Sequence, residues 1–228
     1  MARRVAIVTG AFGALGRALV AAAVKDGFAV AAIDFAPMVP SGLSSDVMIY
    51  PDVDLADQAQ VDETVAAVRD RAGRIDVLFN VAGGFAWQTV DEGDLQVWQR
   101  LHRLNLMTAL NASKAALPHL KDSGAGRIVN VGANAALRAG LGMGAYAASK
   151  AAVHRLTETL AEELKDQGVT VNAVLPSIID TPANRADMPD ADFTRWVTPG
   201  QLAAVMLFLA GTEAGAVTGA LIPVTGRV

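Results

Sequence analysis

Seven short runs rich in Val, Ile and Ala, at residues 5–8, 28–33, 47–50, 77–80, 127–131, 169–174 and 220–224, alternate with longer stretches of helical periodicity. Most are bounded by Gly, Pro or Asp, and within them the apolar residues run nearly without interruption. A strand of that kind is buried on both faces, so helices must cover both sides of the sheet it joins. The pattern predicts an α/β fold of the Rossmann type: a doubly wound, seven-stranded parallel sheet with helices on both faces. A chain of 228 residues suits one core, and no repeat, low-complexity tract or linker divides it. Residues 1–228 are therefore read as a single domain.

Helices are predicted over residues 14–26, 57–72, 94–120, 145–167 and 199–211. Residues 36–46, between the second and third strands, hold Pro37, Pro40, Ser41, Gly42, Ser44 and Ser45. This is poor helix material, and the crossover helix expected there is predicted to be shortened or lost. A net charge of -4, with 18% charged residues spread along the chain, offers no basic stripe for nucleic acid. There is no cysteine, and no His/Asp/Glu grouping has metal-ligand spacing, so thiol chemistry, disulfides and a metal site are not expected. Arg3 and Arg4 before an apolar run faintly imitate a secretion signal, but Gly10, Gly13 and Gly16 break the run. A soluble, cytoplasmic protein without a membrane span is the expectation.

The first strand leads into Gly10, Gly13 and Gly16, where a helix opens. Glycines at a strand-to-helix turn let a dinucleotide pyrophosphate approach the backbone and rest on the helix N-terminus. Tight turns use glycine without binding anything, so the pattern alone is weak. Asp34 strengthens it: it ends the second strand about 20 residues on, where a carboxylate can accept from both ribose hydroxyls and repel a 2′-phosphate. Phe35 follows in place of the Arg or Lys that would pair with that phosphate. NAD(H) is the coenzyme predicted.

Together with these motifs, Asp54–Leu55, the NVAG turn Asn80, Val81, Ala82 and Gly83, Asn105 within RLNL, Tyr146-Ala-Ala-Ser-Lys150, and Pro176 followed by Ile179 and Thr181 resemble the short-chain dehydrogenase/reductase family along the whole chain. The resemblance implies a nicotinamide coenzyme held by Gly10, Phe12, Gly13, Ala14, Leu15, Gly16 and Asp34. It places Asp54 and Leu55 at the adenine, residues 80–83 along the adenosine, and Pro176, Ile179 and Thr181 at the nicotinamide carboxamide. It implies Asn105, Tyr146 and Lys150 as catalytic residues, and a homodimer or homotetramer joined through the helices bearing Asn105 and Tyr146. Tyr146 and Lys150 are four apart on a predicted helix and share a face, so an ammonium close to the phenol is expected to lower its pKa. Such a Tyr passes a proton while a nicotinamide passes hydride.

The sequence departs from the family pattern at one chemically important place. Thirteen residues before Tyr146, where the family has the Ser that binds the reacting carbonyl, stands Ala133. Losing one such donor typically costs about 2.7–4 kcal/mol of barrier stabilisation. A substrate that accepts hydride easily tolerates the loss. The dihydropteridine reductase branch of the family is similar in this respect, and GALG (13–16), VAGGFAW (81–87), GANAALRAG (132–140), AVHRL (152–156) and DTPANRADMPDADFTRW (180–196) resemble its motifs. Asn105 departs from that branch. Beside Ala133, the substrate pocket is expected to include Asn134, Phe85, Met143, Met188 and Trp196, with residues 182–198 forming a lid. Asn134 either replaces the missing hydroxyl or points away into a turn. His154, two turns beyond Tyr146, reads as an interface or packing residue, and His102 and His119 as surface residues. The leading reading is an NAD(H)-dependent reductase of an activated C=N or C=O in a small molecule, quinonoid dihydropterin or a related ring. A general carbonyl or alcohol dehydrogenase and a non-catalytic dinucleotide-binding regulator are the alternatives.

Overall fold

Alternate residues of each apolar run face opposite layers, and that division organises the molecule. In the computed structural model, which describes residues 3–228, Ala6 and Val8 of β1 (Val5–Thr9) join one apolar cluster while Val5 and Ile7 join another. The first cluster is closed by Leu15 and Leu19 of α1 (Ala14–Lys25) and by Leu202 and Met206 of α7 (Pro199–Ala210). The second is closed by Val61 and Val65 of α2 (Gln58–Ala72), Ala112 and Ala116 of α4 (Thr108–Asp122) and Leu160 and Leu164 of α5 (Gly144–Leu164). The sheet between them adds β2 (Ala29–Ile33), β3 (Met48–Tyr50), β4 (Val77–Asn80), β5 (Arg127–Val131), β6 (Thr170–Pro176) and β7 (Leu221–Val224). All seven strands run parallel, in the order β3-β2-β1-β4-β5-β6-β7. The order reverses between β1 and β4, and a crevice at such a switch point is where open α/β sheets bind ligands.

Between β2 and β3 no helix forms, as Pro37, Pro40 and Gly42 predicted; Leu43 and Val47 pack onto the α1 layer there. The stretch expected as one helix over 94–120 is more articulated. It runs as α3 (Leu95–His102), a π-helical turn (Arg103–Met107) and α4, which carries Pro118 near its C-terminal end. The extra residue in the π turn leaves Asn105 only 1% exposed, against the sheet end. The segment predicted as a loop over the cleft contains α6 (Pro182–Asp187), capped by Thr181, and a 3-10 turn (Phe193–Arg195). Among the described residues no helix is long and apolar enough to cross a membrane, and no cluster of potential metal ligands occurs.

Candidate active site

The C-terminal ends of β1, β2, β4, β5 and β6 converge on a cleft of about 720 Å³, within the range of small-molecule sites. Its floor is the first turn of α1. Gly10 has a φ of +60°, and a side chain there would lie 2.8 Å from the backbone of Ala82. A Cβ on Gly16 would collide with the carbonyl oxygen of Gly10 and lie 2.7 Å from Ala11 Cα. The glycines therefore let the loop lie tight against the β4 turn and leave the N-terminus of α1 bare, with no acidic side chain in its first turn. An anionic pyrophosphate fits that cradle. Gly13, Ala14 and Leu15, expected from the sequence at the coenzyme, line the cleft.

Asp34 stands on the same wall. Its carboxylate accepts from the Phe12 N–H at 2.8 Å and the Ala36 N–H at 2.9 Å, so it braces the glycine loop while facing the cleft. Phe12 itself turns its ring toward the α1 layer and contributes its amide rather than a cleft surface. Val81, Ala82 and Gly83 line the opposite wall, held by the Thr9 hydroxyl, which accepts from the amides of Val81 (3.0 Å) and Ala82 (3.1 Å).

Several motif residues serve the scaffold instead. Asn80, expected along the adenosine, is 3% exposed and donates to Asn130 Oδ1 (2.8 Å) and Ser113 Oγ (3.1 Å), linking β4 to β5 and α4. The Asp54 side chain, expected at the adenine, is drawn to Arg103 at 2.7 Å and to the Ala56 N–H; its apolar neighbours Val53 and Leu55 line the cleft. Pro176 is buried within β6 in register with Val224, whereas Ile179 and Thr181 reach the cleft. Asn105 does not line it. Its side chain exchanges hydrogen bonds with Gly84 (2.8 and 3.1 Å) and donates to Ser149 Oγ at 2.8 Å, tying the turn after β4 to α5.

Tyr146 and Lys150 do share the cleft-facing side of α5. The Phe85 ring meets that of Tyr146 edge-on, with centroids 5.0 Å apart. The expected lowering of the phenol pKa is not what this arrangement produces. Burial pushes Tyr146 up to about 12 and Lys150 down to about 8. The ammonium donates to the Val131 carbonyl at 2.7 Å, so its charge is engaged by β5 rather than by the phenol. At neutral pH the pair is a protonated phenol beside a cationic Lys.

Of the predicted substrate pocket, Phe85 lines the cleft. Ala133 is 2% exposed, and its N–H donates to His154 Nε2 at 3.3 Å. Asn134 opens a 3-10 turn (Asn134–Ala136) leading away from β5, and Met143 precedes the first residue of α5; neither borders the cleft. Met188 lies beyond α6, and Trp196 is buried beneath the segment, its ring 4.8 Å from that of Phe193. The large aromatic ring is shielded from water by packing down, while Pro182 and Ala183 form the cleft edge. Sequence reasoning missed Val53, Gly84, Leu104, Thr108 and Val131, which also line the cleft. Leu104 lies within the π turn and Thr108 directly follows it, and periodicity carried no sign of that turn; Gly84 directly follows the recognised turn. His154 packs against the exit of β5 and is 2% exposed.

The profile of the family described as short chain dehydrogenase matches residues 4–192. The chain belongs to that family, and it is an oxidoreductase of the short-chain dehydrogenase/reductase type. It is 30% identical to the acetoacetyl-CoA reductase of Allochromatium vinosum over 98% of this chain and 97% of that one. Two solved structures share the fold across 99% of this chain: ElxO with NADP bound (TM-score 0.89, 25% identity, 98% of its chain) and the carveol dehydrogenase of Mycobacterium avium in complex with NAD (TM-score 0.87, 26% identity, 97% of its chain).

Proposed function

We propose that this protein is an NADH-dependent reductase of a small molecule with an activated C=N or C=O bond, acting in the manner of dihydropteridine reductase on a quinonoid dihydropterin or a related electron-poor ring. The observation that carries this reading is Ala133. No side-chain donor exists at the family's carbonyl-binding position, and the Ala133 amide is already engaged by His154. The proton donor left to a reacting oxygen or nitrogen on the α5 side of the cleft is the Tyr146 phenol. A phenol pushed up to about 12 is a weak acid, suited to a substrate whose own driving force makes proton delivery easy.

When bound, the nicotinamide dinucleotide supplies the hydride. The first turn of α1 and the Gly10 loop would hold its pyrophosphate, Asp34 its adenosine ribose, and Ile179 and Thr181 its carboxamide end. Lys150 holds positive charge in the cleft on the same helix face as Tyr146 and would hold the coenzyme's nicotinamide ribose, and Tyr146 Oη would give its proton to the substrate as it is reduced. Asn105 positions rather than reacts, because its amide is spent on Gly84 and Ser149. Asp34 favours NAD(H), since both of its oxygens already accept amide protons and no cation follows it to receive a 2′-phosphate.

A second reading, a general carbonyl or alcohol dehydrogenase, is favoured by relatives such as the acetoacetyl-CoA reductase. The intact Tyr146 and Lys150 weigh against a non-catalytic regulator. We further read the chain as one domain of a cytoplasmic homodimer or homotetramer without nucleic-acid or membrane partners. Trp98, His102 and Ala148 line a hollow on the face of α3 and α5 where a second copy would pack. Oxidation of NADH by the purified protein, with quinonoid dihydropterin beside simple ketones, quinones and secondary alcohols, tests the proposal. Faster turnover of the activated ring supports it; faster turnover of ketones or alcohols selects the second reading, and none with any compound the regulator.

A further inference from the structure

Helix α5 carries a third polar group in line with the reaction pair. Tyr146, Lys150 and His154 follow at intervals of four, so each successive side chain turns only about 40° around the helix. Both lower members grip the exit of β5. Lys150 Nζ donates to the Val131 carbonyl at 2.7 Å, and two residues later the Ala133 N–H donates to His154 Nε2 at 3.3 Å. Gly132 lies between them. A Cβ on it would sit 2.5 Å from His154 Nε2 and 2.8 Å from Cδ2, so the imidazole lies against backbone that only glycine leaves clear. The strand exit is thus clamped through one carbonyl and one amide by two residues of the same helix face.

We propose that His154 is a positioning residue for the reaction pair: by accepting the Ala133 N–H it fixes the end of β5, and with it the Val131 carbonyl that holds the Lys150 ammonium at the cleft. The role needs a neutral ring protonated on Nδ1, because only a bare Nε2 can accept. Burial, reinforced by the charges of Arg155 and Lys150, pushes the His154 pKa down to about 4, which keeps the ring neutral. The charged groups acting on the His154 ring are Arg155 and Lys150, both from α5, with Tyr146 one helical turn before Lys150. The β5 exit and β6 contribute Gly132, Ala133 and Leu175, and the π turn contributes the neutral Asn105. The inference rests on Tyr146 and Lys150 being the reaction pair, but its test requires no substrate.

Two measurements decide it. Imidazole nitrogen NMR of the native protein is expected to show His154 protonated on Nδ1 and bare on Nε2 from about pH 5.5 to about pH 8. A ring protonated on Nε2, or one titrating near its ordinary 6.5, overturns the proposal. NADH affinity, followed by fluorescence, is expected to fall as pH rises through the Lys150 pKa of about 8. In His154→Leu that midpoint should move down by about half a unit or more, because an ammonium that loses its carbonyl acceptor favours its neutral form. His154→Gln, whose Oε1 can accept the same N–H, should restore it. An unmoved midpoint in His154→Leu reduces His154 to packing alone, and overturns the proposal. Should that variant fail to fold, the tautomer measurement decides by itself. Absence of dihydropterin turnover leaves both readouts intact and counts only against the proposed substrate.

Discussion

Replacing Asp34 with Ala should shift coenzyme preference and weaken the phosphate loop at the same time. The carboxylate faces the cleft and accepts from the amides of Phe12 at 2.8 Å and Ala36 at 2.9 Å. A unit of phosphate charge about 5 Å from it is disfavoured by about 1 to 3 kcal/mol as the effective dielectric constant falls from about 80 to about 20, a factor of about 5 to 150 in affinity. Removing the charge should improve NADPH binding relative to NADH by an amount in that range. The two amides left without their acceptor cost about 1 kcal/mol each, so NADH binding and thermal stability should both drop. Isothermal calorimetry with both coenzymes, alongside thermal melts, reads the two effects separately. The reasoning is refuted if the native protein binds both coenzymes equally, or if Asp34→Ala leaves their ratio unchanged.

Three further outcomes are expected. Tyr146→Phe should lower kcat with an activated substrate by about 10²-fold or more while NADH affinity stays nearly intact, as steady-state and binding measurements would show, because the ring still packs against Phe85. Gly16→Ala should cost about 1–3 kcal/mol in denaturant unfolding and at least about tenfold in NADH affinity, since the new methyl meets backbone atoms of Gly10 and Ala11 and not a flexible side chain. The native pH dependence of unfolding should carry the mark of His154: its folded pKa of about 4 lies below the ordinary 6.5, so the contribution is complete above pH 6.5 and is lost on acidification toward 4. That loss should reach at most about 3 kcal/mol and flatten in His154→Gln.

Much of the fold could be read because its strands are buried on both faces, which writes them as uninterrupted apolar runs, and because Pro37, Pro40 and Gly42 forbid a helix where none forms. That the glycine loop, Asp34, Tyr146 and Lys150 border one cleft was legible because backbone clearance, the position of a strand-end charge and helical spacing are written in residue type and interval. Asn80 and Asp54 misled because a motif residue at a cleft can spend its side chain on the scaffold, and only partners distant in sequence, Asn130 and Arg103, reveal it. The π turn was invisible because one extra residue barely disturbs an Ala- and Leu-rich period, yet it buries Asn105. Trp196 was misplaced since an aromatic residue among charges reads equally as a cleft contact or as the anchor of its own segment. The spacing of Tyr146 and Lys150 gave their shared face but not the Val131 carbonyl that captures the ammonium.

The central claim is that Ala133 confines this enzyme to substrates needing little activation, and Ala133→Ser tests it most directly. The measurement is the ratio of kcat/KM for a simple ketone to that for quinonoid dihydropterin, both with NADH, in the native protein and in the Ala133→Ser variant. A restored donor worth about 2.7–4 kcal/mol corresponds to about 10²–10³-fold. The account predicts that the ketone gains most of that factor while the activated ring gains little, so the ratio rises by at least about tenfold. An unchanged ratio in a folded, NADH-binding variant, or a native protein that already turns over the ketone as fast as the ring, would contradict it.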